Sequence, residues 1–118
     1  MIERPGLFVY GTLHPHRAPA DMQPVVQQFR AIGEGIITGQ LLDLGEYPGL
    51  VLNASASSIH GSVYEVPRQL WPVLDAYEDF RPNDPANSLF LRELHTITMA
   101  DGTAQQHWVY LYNRAVSS

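Results

Sequence analysis

Three acids crowd one short stretch of this chain: Asp75, Glu78 and Asp79. Like charges this close raise a carboxylate's proton affinity, and burial raises it further. A carboxyl shifted in that way can hold and return a proton near neutral pH, as general acid/base work requires. By residue type alone, a glutamate at such a position reads as a solvated helix-end acid. A second stretch with chemical potential is Phe8-Val9-Tyr10-Gly11-Thr12-Leu13. Large aliphatic, β-branched and aromatic residues suit a buried strand, and Gly11 permits a sharp turn at its end. Such a corner leaves backbone N–H groups convergent, a nest suited to an anion or a polarised carbonyl. A third set is His14-Pro15-His16 with His60, His95 and His107. His-x-His on a strand is a metal-ligand spacing. Here the pair brackets a proline in a loop, and no third ligand is identifiable. The histidines therefore read as solvated loop residues, and no metal or other cofactor is expected.

Composition removes several chemistries. The seven basic residues are all Arg, so the chain offers no Schiff-base lysine and no lysine general base. It has no Cys, which excludes thiolate nucleophiles, disulfides and cysteine-type zinc sites. The net charge of −5 disfavours nucleic acid or an anionic membrane as partner. The N-terminal residues Met1-Ile2-Glu3-Arg4-Pro5 read as neither a signal peptide nor a membrane span, and a cytoplasmic location is expected. A chain of 118 residues is one domain, spanning 1–118.

The elements that must position these groups follow from periodicity and punctuation. Leu7 to Tyr10 reads as a strand and Gln23 to Arg30 as a short helix. Gly33 and Gly35 announce a strand over Ile36 to Leu44, bent at Gly39. Gly45 to Gly49 reads as a turn, Leu50 to Leu52 as a short strand and Asn53 to Ser58 as a loop. Ile59 to Val66 is the next strand. Leu70, Leu74 and Tyr77 share one face of a helix running from Gln69 or Leu70 to Asp79, with Pro72 in its first turn. Phe80 to Ser88 reads as an exposed loop. Leu89 to Met99 and Thr103 to Tyr112 form a hairpin about Asp101-Gly102. Trp108, Tyr110 and Tyr112 line one face of its second strand, Val109 and Leu111 the other, so both faces are covered. About six strands and one main helix give an α+β fold, a small mixed β-barrel with the helix at its side.

Several stretches together resemble the gamma-glutamylcyclotransferase-like family. They are Val9-Tyr10-Gly11-Thr12-Leu13; Gly39-Gln40-Leu41-Leu42-Asp43-Leu44-Gly45 with Tyr47-Pro48-Gly49; Gly61-Ser62-Val63-Tyr64; and Leu74-Asp75-Ala76-Tyr77-Glu78. Leu91-Arg92 and the aromatic strand end Tyr110 to Tyr112 are similar too, and the order is the family's throughout. The resemblance implies a small mixed α/β barrel. It also implies cleavage of a gamma-glutamyl amide without water: the substrate's α-amine attacks its own γ-carbonyl, giving 5-oxoproline and a free amine. On this reading Glu78 is the general acid/base, and the loop of Tyr10, Gly11, Thr12 and Leu13 binds the gamma-glutamyl moiety. Thr12 stands where many members carry Ser, and both offer a hydroxyl. Arg92 is a candidate for substrate binding or for pairing with a buried acid, and Asp75 for a cap or an arginine partner. Tyr110 is a candidate for the pocket mouth or for the core.

The expected function is therefore gamma-glutamyl cyclotransferase, with a small-molecule gamma-glutamyl substrate as partner. His14-Pro15-His16 follows Leu13 where the glutathione-cleaving branch has an aromatic residue. The Tyr10-Gly11-Thr12-Leu13 form resembles members acting on gamma-glutamyl amines, gamma-glutamyl-lysine isopeptides included. The alternative is a non-catalytic small-molecule or protein-binding module on the same fold, since folds outlive activities.

Overall fold

The apolar residues alternate along the first and last strands so that both faces of the sheet are covered, and the chain closes the sheet on itself to cover them. The computed structural model describes residues 5–10, 18–44, 48–52 and 57–113. Its strands are β1 (Leu7–Val9), β2 (Arg30–Asp43), β3 (Pro48–Val51), β4 (Ser57–Glu65), β5 (Phe90–Met99) and β6 (Ala104–Tyr112). The helices are α1 (Gln23–Val26) and α2 (Trp71–Tyr77). The sheet order is β3-β2-β4-β1-β6-β5, and a further β2–β5 pairing closes five of the strands into a barrel, with β3 as an extension of β2. The pairings are antiparallel except β1–β6, which is parallel at Leu7 and Trp108. The α+β barrel expected from the sequence is the fold observed.

The barrel interior holds Phe8, Ile37, Leu50, Val63, Ile97, Met99, Val109 and Leu111. A second cluster lies outside the wall, where Met22, Val26, Leu70 and Leu74 from the helical segments cover Leu7, Val9, Tyr64, Phe90 and Tyr110. The two faces of β6 thus feed two cores, Val109 and Leu111 inward and Trp108, Tyr110 and Tyr112 outward. Removing the Leu74 side chain, which is wholly buried, would cost about 2–5 kcal/mol.

Several boundaries differ from the sequence reading, each for a physical reason. β2 begins at Arg30 rather than Ile36 and takes in Gly33 and Gly35. A Cβ on Gly35 would lie 2.5 Å from Ile97, so glycine here permits β2 to close against β5 rather than ending a loop. Pro48-Gly49, read as a turn, opens β3; Pro48 pairs with Asp43 at the first strand position, which tolerates a missing donor. Ser57 and Ser58 extend β4 by pairing with Gly39 and Thr38. The short helix expected over Gln23 to Arg30 is four residues long, and Arg30 already belongs to β2. The main helix starts as a 3₁₀ turn at Arg68–Leu70 and becomes α-helical at Trp71, with Pro72 in its first turn as expected. It ends at Tyr77, not Asp79. The loop after it is partly ordered by Ser88, which is fully buried. The Ser88 hydroxyl accepts the Arg81 N–H at 2.7 Å and donates to the Asp84 carbonyl at 3.1 Å.

Candidate active site

Helix α2 has no side-chain cap at its N-terminus, and its C-terminus is closed by backbone bonds. The Asp79 N–H donates to the Ala76 carbonyl at 3.2 Å and the Phe80 N–H to the Asp75 carbonyl at 2.8 Å. Paired bonds of this kind need a left-handed residue just beyond the helix, usually glycine. Here it is Asp79, with φ 54°. The closure leaves Glu78 at the cap position, its own N–H bonded to the Leu74 carbonyl at 2.9 Å. Glu78 is half-buried, and burial raises its carboxyl pKa to about 7.

The Glu78 charge acts on two tyrosines, Tyr10 and Tyr110. Tyr10 is the residue after β1 and packs on the interior cluster. Its hydroxyl donates to the Tyr110 carbonyl at 2.5 Å and accepts the Leu50 N–H at 3.3 Å. Burial first, then the Glu78 charge, pushes the Tyr10 phenol above the usual tyrosine range, while the Leu50 N–H pulls it back in part. Tyr10 is therefore a neutral clamp across β1, β3 and β6. Its neighbour Gly11, with Thr12 and Leu13, lies outside the described residues, as do His14 and His16.

Tyr110, Asp75 and Arg92 form one cluster. The Tyr110 hydroxyl donates to Asp75 Oδ1 at 2.7 Å. Arg92 donates from Nε to Asp75 Oδ1 at 2.8 Å and from Nη2 to Asp75 Oδ2 at 3.1 Å, a two-pronged pair inside the outer core. The guanidinium carbon sits 4.5 Å from the ring centres of both Trp71 and Trp108, in the angle between two indoles whose centres are 6.3 Å apart. Burial, then the hydrogen bond to Asp75, raises the Tyr110 phenol well above its usual range. Both phenols thus remain protonated wherever a carboxyl titrates.

Hydrogen bonds link Tyr10 to the Tyr110 backbone, the Tyr110 hydroxyl to Asp75, and Asp75 to Arg92, while the Glu78 charge raises both phenols. The ion-pair alternative for Arg92 accounts for its Nε and Nη2, and the arginine-partner alternative for Asp75 is the one observed. Tyr110 belongs to the outer core while its hydroxyl turns toward the acids. The sequence reading missed Trp71 and Trp108. Their signal was present: Trp108 shares a strand face with Tyr110, and Trp71 lies one helical turn before Asp75. It also took His107 for a solvated residue. His107 is buried, accepts the Gly6 N–H on Nδ1 at 2.8 Å and bonds Gln105 through Nε2 at 2.8 Å. Its position opposite His95 in the β5–β6 ladder, on the same inward face of β6 as Val109 and Leu111, is what covers it. Among the described residues no group of three or more His, Asp or Glu is arranged to hold a metal ion, and no helix is long and apolar enough to cross a membrane.

Residues 7–118 match the model of a family described as gamma-glutamyl cyclotransferase, AIG2-like. Among solved structures, the chain is similar to YkqA from Bacillus subtilis at 25% identity and a TM-score of 0.69, covering 91% of this chain and 35% of that one. It spans about a third of YkqA's length. A protein from Pyrococcus horikoshii, PH0828, shares the fold at 17% identity and a TM-score of 0.62, over 95% of this chain and 80% of that one. A gamma-glutamyl cyclotransferase shares it at 11% identity and a TM-score of 0.64, over 90% and 64% of the two chains. No curated protein matches the chain.

Proposed function

The chain belongs to the gamma-glutamyl cyclotransferase, AIG2-like family, and from that premise we propose that it cleaves a gamma-glutamyl amide or amine to 5-oxoproline and a free amine. The observation that carries this reading is Glu78: a half-buried carboxyl with a pKa raised to about 7, ending α2 in electrostatic reach of the Tyr10 hydroxyl. Tyr10 directly precedes Gly11, Thr12 and Leu13, the stretch that the sequence reading gives to the gamma-glutamyl part.

The chemistry asks little of the protein. The nucleophile is the substrate's own α-amine, so no nucleophilic side chain is needed. Orientation of an intramolecular attack contributes about 7–11 kcal/mol in effective concentration. The amine arrives as an ammonium. Glu78, ionised, takes its proton; the amine then attacks the γ-carbonyl, and a C–N bond forms as the carbonyl oxygen becomes an oxyanion. The sequence reading gives backbone N–H groups of Gly11, Thr12 and Leu13 to that oxyanion or to the substrate's α-carboxylate. Collapse breaks the original amide C–N bond as Glu78 returns that proton to the leaving amine, and the ring nitrogen gives up its second proton to the freed amine, which departs as an ammonium. A carboxyl with pKa near the working pH can run both transfers, and such catalysis is worth about 10²–10⁴-fold. Arg92 and Tyr110, candidates for substrate contact by sequence, act in this reading through Asp75.

The test is product formation. The protein is incubated with gamma-glutamyl amino acids, amines and lysine isopeptides, and 5-oxoproline is measured by mass spectrometry. Formation of 5-oxoproline that Glu78→Gln abolishes supports the proposal. Free glutamate would mark hydrolysis instead, and ligand binding without product would mark a binding module.

A further inference from the structure

At the end of β1 opposite Tyr10 lies a second concavity, of about 590 Å³. Its walls come from the start of β2, the end of β4 and the segment that leads into α2, with Pro5 on one side. Neither Tyr10 nor Glu78 lines it. A bulge in β2 shapes it. Arg30 stands opposite Glu65 and Ala31 opposite Tyr64, but Gly33 is the residue opposite Val63, so Ile32 is extra. An extra residue bends its strand and re-aims a side chain. Ile32 lines the concavity and is left 40% exposed. A Cβ on Gly6 would strike the Tyr64 carbonyl and meet the tip of Ile32 at 3.1 Å, so glycine lets the chain run tight beside the bulge. Val66 completes the apolar wall and packs on the outer core.

Charge selects what such a place can hold. Four arginines are among the described residues. Arg81 and Arg92 each face a carboxylate. Arg30 and Arg68, both exposed at this concavity, have no carboxylate in ion-pair reach among the described residues, although Glu65 is across the ladder from Arg30. Two guanidiniums against one glutamate leave the rim cationic in a chain of net charge −5. A cationic rim draws anions. The guanidinium fork matches a planar carboxylate and can hold it through two parallel bonds. Glu65 repels a doubly charged ion such as phosphate more strongly than a single charge. Ile32, Val66 and Pro5 offer nonpolar contact to the rest of a ligand. The volume falls in the range of small-molecule sites, roughly 300–1,000 Å³. We propose that this concavity is a binding site, separate from the Glu78 site, for a small monocarboxylic acid with an apolar body.

The experiment is a ¹H–¹⁵N NMR titration of the whole protein at constant ionic strength with three probes: 4-methylpentanoate, L-leucine and inorganic phosphate. The two carboxylates should give saturable shifts centred on residues 30–32 and 65–68, and phosphate weaker ones. Leucine binding tighter than 4-methylpentanoate assigns an amino acid, its ammonium on Glu65; the reverse order assigns a simple acid. Arg30→Gln and Arg68→Gln are exposed substitutions outside both cores, and each should weaken the carboxylates about fivefold or more. Ile32→Ser tests the apolar wall independently: it should weaken 4-methylpentanoate and leave phosphate unchanged. Glu78→Gln should leave all three titrations as they are. No saturable shift at these residues, binding that neither arginine substitution weakens, or phosphate held as tightly as the carboxylates overturns the proposal. Loss of carboxylate binding in Glu78→Gln assigns the ligand to the other site and overturns it as well. The presence or absence of 5-oxoproline formation has no bearing on these outcomes, so this site and the cyclotransferase reading fail separately.

Discussion

The hydroxyl of Tyr10 donates to the backbone carbonyl of Tyr110, joining the end of the first strand to the last strand across 100 residues of chain. The same oxygen accepts the Leu50 N–H from β3. One phenol thus ties three strands beside the acid that ends α2.

Tyr10→Phe removes both bonds and leaves a buried carbonyl and a buried N–H to find other partners. An unsatisfied buried group costs about 1–3 kcal/mol. The expected outcome is a loss of stability of that order by urea denaturation. A fall in 5-oxoproline formation should accompany it, because the chain entering Gly11 loses its anchor. Unchanged stability would show that the clamp contributes nothing.

Glu78 should make the fold less stable as pH rises. Its carboxyl pKa is about 7 when folded, against an ordinary value of 4.5, so the folded state binds the proton more tightly. The associated stability is fully present below pH 4.5 and is lost as pH rises through about 7. The full swing is of order a few kcal/mol. Denaturation midpoints measured across this range should fall for the wild type relative to Glu78→Gln, whose side chain does not titrate. Parallel curves for the two proteins would contradict the buried-carboxyl assignment.

Asp79 occupies the left-handed region at φ 54° to close α2. A residue with a Cβ incurs roughly 1–2 kcal/mol there, and glycine does not. Asp79→Gly is expected to raise the melting temperature despite glycine's larger chain entropy. The lost Arg81 contact is exposed and of small value. Asp79→Val, β-branched at the same position, should lower it. Calorimetry on the two variants checks both signs.

How much of this was legible beforehand depended on the range of each interaction. The two-faced pattern Trp108-Val109-Tyr110-Leu111-Tyr112 is local, and it gave the covered strand and the barrel. The amphipathic spacing of Leu70, Leu74 and Tyr77 gave α2, but no local signal stopped it at Tyr77, because its end is made by backbone bonds and a left-handed aspartate. Gly35 and Pro48 were read as breaks because their types usually mark them. Each sits inside a strand for a reason set by a distant neighbour, Ile97 for one and the free strand edge for the other. The halves of the Asp75–Arg92 pair were each visible as a residue wanting a partner. Their meeting, 17 residues apart and flanked by two indoles, is a property of the closed barrel.

The parallel β1–β6 contact also has a consequence for assembly. β1 leaves the ribosome well before β6, the strand that completes its wall. Long-range closure of this kind is slow, since the intervening segment must surrender its freedom before the contact repays it. Until β6 arrives, Tyr10 has no carbonyl to grip and Asp75 lacks the Tyr110 hydroxyl. A nascent or C-terminally clipped chain could carry every side chain named here up to Arg92 and still hold no working pocket.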